Sequence, residues 1–146
     1  MVTISKIDTG RARDARRFVR FPFDLYRDSS YWVPPLVSDA KKQIDRRQNP
    51  FFLHSDADFF LATEGKEVVG RIVVMENRHY NDFHKKRYAF YYLFDAIDDQ
   101  DVFDALYGAA CEWCRERGLT RLIGPKGFTV FEGMGVLVEG FDQLPA

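Results

Sequence analysis

Apolar and polar residues alternate over residues 2–7, which predicts an opening strand. Residues 14–26 carry phenylalanines at helical spacing among arginines, so this stretch predicts an amphipathic helix. Because proline has no backbone N–H, we expect Pro22 to kink or end the helix near Phe21. The chain therefore begins with a strand followed by a helix.

Two short segments follow the first helix. Residues 31–36 read YWVPPL, and the two prolines predict an extended segment whose aromatic side chains pack on the core as a lid. Ser38 or Asp39 can cap a second short helix that continues through Arg47. Asn49 and Pro50 then end that helix.

The middle of the chain has the pattern of an antiparallel sheet. Residues 57–63 and 67–76 are two apolar runs separated by a Glu-Gly-Lys turn, which predicts a β-hairpin. A polar stretch at 77–87 is interpreted as a linker. Residues 88–94 form the most apolar run, and we expect them to be a central strand.

A clear helix pattern follows, beginning at residue 101 or 102 and ending at residue 117, with Gly118 placed to end it in the left-handed conformation. Residues 120–123 predict a short strand. The tail at 126–146 is rich in glycine and holds one further strand candidate at 136–139. The order of elements predicts one α+β domain over residues 1–146.

Composition limits the class of protein. The 146 residues are 46% hydrophobic, which is enough for a core without disulfide or metal support and excludes a disordered chain. The net charge of −1 gives no overall electrostatic signal for nucleic acid or for an anionic membrane, so neither is expected as a partner. The longest apolar run is too short to cross a bilayer, and we expect a soluble, cytoplasmic protein.

The charge is nevertheless uneven along the chain. Residues 1–50 carry a net charge of +5 and residues 51–146 a net charge of −6. The basic part holds five arginines at a spacing that suits the outer side of the first helix: Arg11, Arg13, Arg16, Arg17 and Arg20. Two interpretations stay open for them, a solvated face or a surface that binds an anion or a partner.

Cysteines and histidines offer little chemistry. Cys111 and Cys114 lie inside the predicted long helix rather than at its N-terminus, so we interpret them as buried thiols instead of a redox pair. The three histidines lack the spacing of a metal site and fall in polar segments. No metal site is predicted.

Several phrases of the sequence resemble a known superfamily. They are YWVPPL at 31–36, NPFF at 49–52, VVGRI at 68–72, ERGLTRLIGP at 116–125 and LVEGFD at 137–142. Together with the order of elements, they resemble a poorly characterised bacterial family related to the GNAT superfamily of N-acetyltransferases, whose members are usually more than twice this length. The resemblance implies a mixed, mostly antiparallel sheet with helices on both faces, whose C-terminal strands and final helix are incomplete. It leaves open a truncated reading frame or a half-length member that forms a homodimer through an open sheet edge.

The resemblance also implies a site for acetyl-CoA or another acyl-CoA. The acyl group would lie between the strand at 88–94 and the strand at 120–123, beside Leu93 and Phe94. The pyrophosphate would lie on backbone N–H groups at the start of the long helix: Gln100, Asp101, Val102 and Phe103. However, this loop contains no glycine, and four aspartates within residues 95–101 compete with a phosphate for that position.

Acyl transfer to an amine needs a base for the amine and often an acid for the departing thiolate. Glu76, at the end of the second hairpin strand, is the candidate base, and Tyr92 is the second catalytic candidate. The expected function is therefore an N-acyltransferase-related protein with a degenerate pyrophosphate loop, acting on a small amine. The alternative is a module without catalysis that has the same fold and serves interaction or dimerisation, so enzymatic activity stays open.

Overall fold

Five strands form one sheet in the order in which they follow one another along the chain. They are β1 (Val2–Ile7), β2 (Asp56–Glu64), β3 (Glu67–Glu76), β4 (Tyr88–Ala96) and β5 (Arg121–Ile123). Neighbouring strands are antiparallel except for β4 and β5, which are parallel. This structure, a computed structural model, describes residues 1–144, so the last two residues of the glycine-rich tail lie outside the described part.

Helices cover both faces of the sheet. They are α1 (Ala12–Leu25), α2 (Val37–Ile44), α3 (Arg78–His84) and α4 (Gln100–Glu116), with a 3-10 turn at Pro50–Leu53. Residues of α1 and α2 pack with Phe59 and Val73 in one buried cluster, whereas α4 packs with Ile72 and Val74 in another. The predicted α+β architecture is confirmed. Among the described residues, no helix is both long and apolar enough to span a bilayer.

Pro22 does not end the first helix. α1 continues to Leu25, with Pro22 buried inside it. A proline at this position leaves the carbonyl of Phe18, four residues earlier, without its helical N–H donor. The guanidinium of Arg71, from β3, donates to that carbonyl at 2.9 Å. A partner from the sheet thus replaces the missing helical hydrogen bond, which local sequence could not indicate.

The polar segment at 77–87 is a helix rather than a linker. Asn77 caps α3 by accepting from the backbone N–H of Tyr80 at 3.0 Å. Asn81 is buried and exchanges two hydrogen bonds with the backbone of Tyr88, where β4 begins. This helix is stabilised by hydrogen bonds of asparagine side chains and not by an apolar stripe. Hydrophobic periodicity in the sequence therefore does not predict it.

The ends of α2 and the predicted strand at 136–139 also differ from expectation. α2 begins at Val37 without a side-chain cap and ends at Ile44, because the Asp45 carboxylate accepts from the backbone N–H of Arg47 at 2.8 Å and turns the chain. The segment at 136–139 is not a strand. Its apolar side chains are exposed, and within residues 1–144 it has no neighbouring strand to pair with.

Candidate active site

The parallel pairing of β4 with β5 stops after the first third of β4. The three paired positions run from Tyr88 with Arg121 to Phe90 with Ile123. One more hydrogen bond follows, from the N–H of Lys126 to the carbonyl of Tyr91 at 2.9 Å. Within residues 1–144, the remainder of β4 has no strand on this side, so its edge is open. The resemblance described above implies that the acyl group would lie between these two strands.

A β-bulge interrupts β4 in the open part. Arg71 and Val73, two residues apart on β3, pair with Asp95 and Tyr92, which are three residues apart on β4. The extra residue is accommodated at Leu93, which has a φ of 48°. An uninterrupted strand would point Tyr92 and Asp95 to opposite faces, but the bulge places both side chains on the α1 face.

A cavity of about 740 Å³ lies between α1, α2 and the open part of β4. Its size is in the range typical of sites for small molecules. Much of its wall is apolar or aromatic, and polar groups enter it from four different segments. The residues important for its chemistry are Trp32, Gln43, Arg71, Tyr92, Asp95 and Glu132.

Trp32 is the only aromatic residue of the YWVPPL segment that packs inward. Its ring contacts the rings of Phe23 and Tyr26 at centroid distances of 5.2 and 5.3 Å. Tyr31, on the other hand, is exposed. The predicted lid is therefore formed by one side chain, and it covers the cavity rather than the core.

A buried hydrogen-bonded network forms one wall of the cavity. Nε and a terminal nitrogen of Arg71 both lie 2.9 Å from one carboxylate oxygen of Asp95. The other oxygen of Asp95 accepts from the hydroxyl of Tyr26 at 2.7 Å. Together with the hydrogen bond from Arg71 to Phe18, the network connects α1, β3 and β4. It fixes the backbone immediately after the bulge.

Burial controls the protonation of the groups in this wall. Burial raises the pKa of the Tyr26 phenol above its usual value, and the hydrogen bond to Asp95 raises it further. Burial lowers the pKa of Arg71, whereas Asp95 acts in the opposite direction. Tyr26 is therefore a neutral donor at neutral pH, and Arg71 keeps its charge because the guanidinium pKa is so high.

Tyr92 is held with its hydroxyl in the cavity wall, where it donates to the backbone carbonyl of Glu132. Burial raises the pKa of Tyr92, and the nearby charge of Glu132 raises it further. The carboxylate of Glu132 accepts from the backbone N–H of Thr129 at 3.0 Å. Tyr92 is thus a protonated phenol beside an open strand edge, which is the state required of a proton donor.

Comparison with known proteins places this geometry in context. The chain is 33% identical over 143 residues to the bacterial ceramide synthase of Caulobacter vibrioides (strain NA1000 / CB15N), covering 97% of this chain and 37% of that protein. It is also 33% identical over 132 residues to Protein YghO of Escherichia coli (strain K12), covering 90% of this chain and 34% of that protein. The chain thus spans about a third of the length of these relatives. No protein-family model matches it.

Among solved structures, the tandem GNAT protein from the clavulanic acid biosynthesis pathway superposes with a TM-score of 0.66 at 15% identity, over 84% of this chain and 35% of that one. The fold is GNAT-like. The superfamily resemblance of the sequence is therefore confirmed at the level of the fold, while the low identity to that structure says nothing of substrate.

The GNAT-like fold separates the residues that the sequence analysis assigned to one site. Tyr92, Leu93 and Phe94 line the cavity. Along β3, Glu76 shares the face of Ile72 and Val74, whose side chains pack toward α4. Glu76 therefore lies on the other side of the sheet from Tyr92. The structure does not bring Glu76 to the cavity, and its role as a base stays a prediction.

The start of α4 lies outside the cavity lining. The Asp99 carboxylate accepts from the N–H of Asp101 at 2.8 Å and thereby caps the helix. Val102 is fully buried in the α4 core, and the ring of Phe103 packs on that of Phe94 at 5.1 Å. The side chain of Gln100 donates to Asp104. A carboxylate of the chain therefore already occupies the predicted pyrophosphate position.

An acyl-CoA placed at this cavity would meet different environments at its two ends. The open edge of β4 would offer backbone groups and an apolar wall to the extended acyl-pantetheine arm. The capped, acidic start of α4 does not fit the diphosphate, because added negative charge there is repelled. The described residues thus fit the acyl end of the donor and not its phosphate end at that helix.

The roles of Asp95 and Arg71 were not predicted from the sequence. Asp95 was assigned to an acidic loop, whereas β4 extends through Ala96 and directs Asp95 toward Arg71. One signal was present in the sequence: Arg71 is the only charged residue between Glu67 and Glu76. A charge in such a strand needs a partner of opposite charge, and Asp95 follows the next apolar strand.

Proposed function

We propose that this chain carries the acyl-transfer site of an acyl-CoA-dependent N-acyltransferase. The observation that carries the proposal is the open edge of β4 at the bulge, with Tyr92 and Asp95 directed into one cavity. Extended chains that contain amides bind well along an open strand edge, because backbone groups there can pair with them. The acyl-pantetheine arm is a chain of this kind.

In the proposed reaction, the amine nitrogen attacks the thioester carbonyl carbon, the amide C–N bond forms and the C–S bond breaks. The departing thiolate takes the proton of the Tyr92 hydroxyl, whose raised pKa keeps it protonated until that step. The attacking amine releases its proton to a carboxylate at the cavity. Glu132 is our candidate, since it lines the cavity beside Tyr92.

The acceptor that we propose is a long-chain amine. The relative from Caulobacter vibrioides is named a ceramide synthase, and a ceramide is an N-acylated long-chain amino alcohol. The cavity wall includes Val19, Pro22, Trp32 and Ile44, which suits an aliphatic chain better than a small polar amine. This proposal replaces the small amine acceptor that was expected from the sequence.

The test uses two adjacent tyrosines as a matched pair. Tyr92 lines the cavity, whereas Tyr91 packs on the α4 face against Phe94 and Tyr107. With a long-chain amino alcohol and acyl-CoA, measured by thiol release, we expect Tyr92→Phe to lower kcat by about 100-fold or more. Tyr91→Phe should stay close to the wild type. Equal effects of the two substitutions would remove Tyr92 from the mechanism.

A second function is favoured by one observation. The Asp99 cap and the acidic start of α4 disfavour CoA, which supports a module that serves interaction or forms a homodimer through an open sheet edge such as β1. A thermal-shift titration with acetyl-CoA separates the two functions. A saturable rise supports the enzyme, whereas no response at millimolar ligand, together with a dimer in light scattering, supports the module.

A further inference from the structure

We infer that the outer surface of α1 and α2 docks on an anionic phospholipid bilayer beside the mouth of the cavity. This inference rests on the proposed function, because a long-chain amine acceptor resides in a membrane. From the net charge of −1, no membrane was expected as a partner. A net charge sums over the whole surface, however, whereas a bilayer contacts only one patch of it.

The first support is a basic stripe along α1. Arg13, Arg16, Arg17 and Arg20 follow one another at helical spacing i, i+3, i+4 and i+7, so they share one face. The opposite face carries the buried residues Phe18 and Phe21. Among residues 1–144, neither Arg13, Arg16 nor Arg17 has an acidic side chain within ion-pair distance. These arginines are therefore available to an external anion.

The second support is a groove where α2 adds to this stripe. Arg16, Arg20 and Lys41 surround the apolar side chains of Val19 and Val37 in a groove of about 540 Å³. Arg20 pairs only loosely with Asp24, at 3.9 Å and in solvent. Such a weak exposed pair is easily exchanged for a lipid phosphate.

The third support is a pair of apolar side chains next to the basic residues. Leu36 and Val33 are 70% and 59% exposed, and Val37, which follows Leu36, lines the groove. A surface that lies in the headgroup region of a bilayer combines lysines and arginines with apolar side chains that insert. An acidic protein would need only the positive charges, so the exposed Leu36 and Val33 favour the bilayer.

The basic surface adjoins the cavity. Val19 lines both the groove and the cavity, and Lys42, next to Lys41 in α2, lines the cavity together with Pro35 and Trp32. A lipid amine that leaves the bilayer at this surface would meet the cavity directly. Docking would therefore bring the acceptor to Tyr92 without a passage through water.

The test measures co-sedimentation of the full chain with vesicles, without any substrate. We expect binding to phosphatidylcholine vesicles that contain phosphatidylglycerol, no binding to phosphatidylcholine alone, and release by high salt. Each basic residue near such a surface strengthens binding by roughly fivefold. The variant R13Q/R16Q/R17Q/R20Q should therefore lose about 100-fold or more of the vesicle partition coefficient.

A matched control removes the same charge elsewhere. K66Q/R78Q/K85Q/K86Q changes four exposed cations outside α1 and α2 and should bind vesicles as the wild type does. V33S/L36S keeps the charge and should weaken binding and increase its sensitivity to salt. The far-UV spectrum of each variant confirms folding.

Two outcomes would overturn the inference. One is no vesicle binding by the wild type, whether or not it binds an acidic acyl carrier protein, and the other is an equal loss of binding in the two quadruple variants. Acyl transfer from acyl-CoA to a long-chain amino alcohol dissolved in neutral detergent micelles, measured without vesicles, is a separate readout. Its failure would count against the proposed enzyme while leaving the vesicle result intact.

Discussion

Asp95 and Asp58 have similar surroundings, but the loss of each carboxylate is expected to have a different effect. Their side chains are 17% and 13% exposed, and both carboxylates face arginines. Asp58 lies 2.9 Å from Arg46 and 3.3 Å from Arg117, and accepts from the indole N–H of Trp113 at 2.8 Å. It connects the chain after α2 with the end of α4. Within residues 1–144, Asp58 lines neither of the two cavities described above.

The two sites differ in what surrounds the cations. Arg46 and Arg117 have side chains that are 37% and 28% exposed, whereas the side chain of Arg71 is only 10% exposed. Without its carboxylate, a partly exposed arginine still has water, but Arg71 would be a buried charge with only the Phe18 carbonyl as partner. The ion pair is therefore essential for stability at Arg71, whose side chain is almost inaccessible to solvent. Of the two aspartates, only Asp95 borders the cavity.

The largest expected effect is the difference in stability between Asp95→Ala and Asp58→Ala. We expect Asp95→Ala to lower the free energy of unfolding by about 3–5 kcal/mol, because it leaves Arg71 buried and unpaired. Asp58→Ala should cost about 1–3 kcal/mol, because hydrogen bonds are lost while its arginines turn to solvent. Urea denaturation measures both, and equal losses would contradict the distinction between the two sites.

A smaller effect concerns alkaline pH. The folded pKa of Tyr26 is raised, so the folded state holds this proton more tightly than the unfolded state. The associated stability is complete below about pH 10 and decreases as pH rises above it, by up to about 1.4 kcal/mol per pH unit. Tyr26→Phe removes this contribution.

Denaturant curves at several alkaline pH values should therefore show a shallower loss of stability for Tyr26→Phe than for the wild type. Asp58→Asn serves as the control, because arginines and Trp113, and no tyrosine, donate to Asp58 in the described structure. A slope unchanged by Tyr26→Phe would show that its phenol does not titrate differently in the folded state.

The smallest expected effect tests the hydrogen bond from Arg71 to α1. Pro22→Ala supplies a backbone N–H that can donate to the Phe18 carbonyl, so Arg71 is no longer its only donor. Replacement of Arg71 by Lys should then lower the free energy of unfolding by about 0.5–1.5 kcal/mol less in the Pro22→Ala background than in the wild type. A double-mutant cycle measures this coupling, and additive effects would mean that the carbonyl does not depend on Arg71.

Much of the fold was predictable from local patterns. The hairpin of β2 and β3, the apolar β4 and the stripe of α4 are long and strongly periodic, so their type was correct and their ends differed by one or two residues. The missed helix α3 is short and depends on Asn77 and Asn81 for its hydrogen bonds. The failed strand at 136–139 had the composition of a strand but no neighbour to pair with.

The candidate site was predictable only in part. Tyr92, Leu93 and Phe94 line the cavity as their place in the expected strand suggested. Glu76 belongs to the same sheet but faces away from it, which alternation along β3 could have shown once the face of Tyr92 was known. Asp95 could not be assigned, because its direction depends on the bulge.

The sequence by itself determined the order of the long, periodic elements, the apolar faces of the sheet and the acidic start of α4, because these depend on periodicity and charge along short stretches. Only the tertiary structure decided that Tyr92 and Asp95 face the same cavity. A bulge at Leu93 shifts the register by one residue, and the partner strand, not the sequence of β4 alone, defines that shift. Likewise, Pro22 is accepted inside α1 because Arg71, forty-nine positions further along the chain, donates to the carbonyl that the proline leaves free.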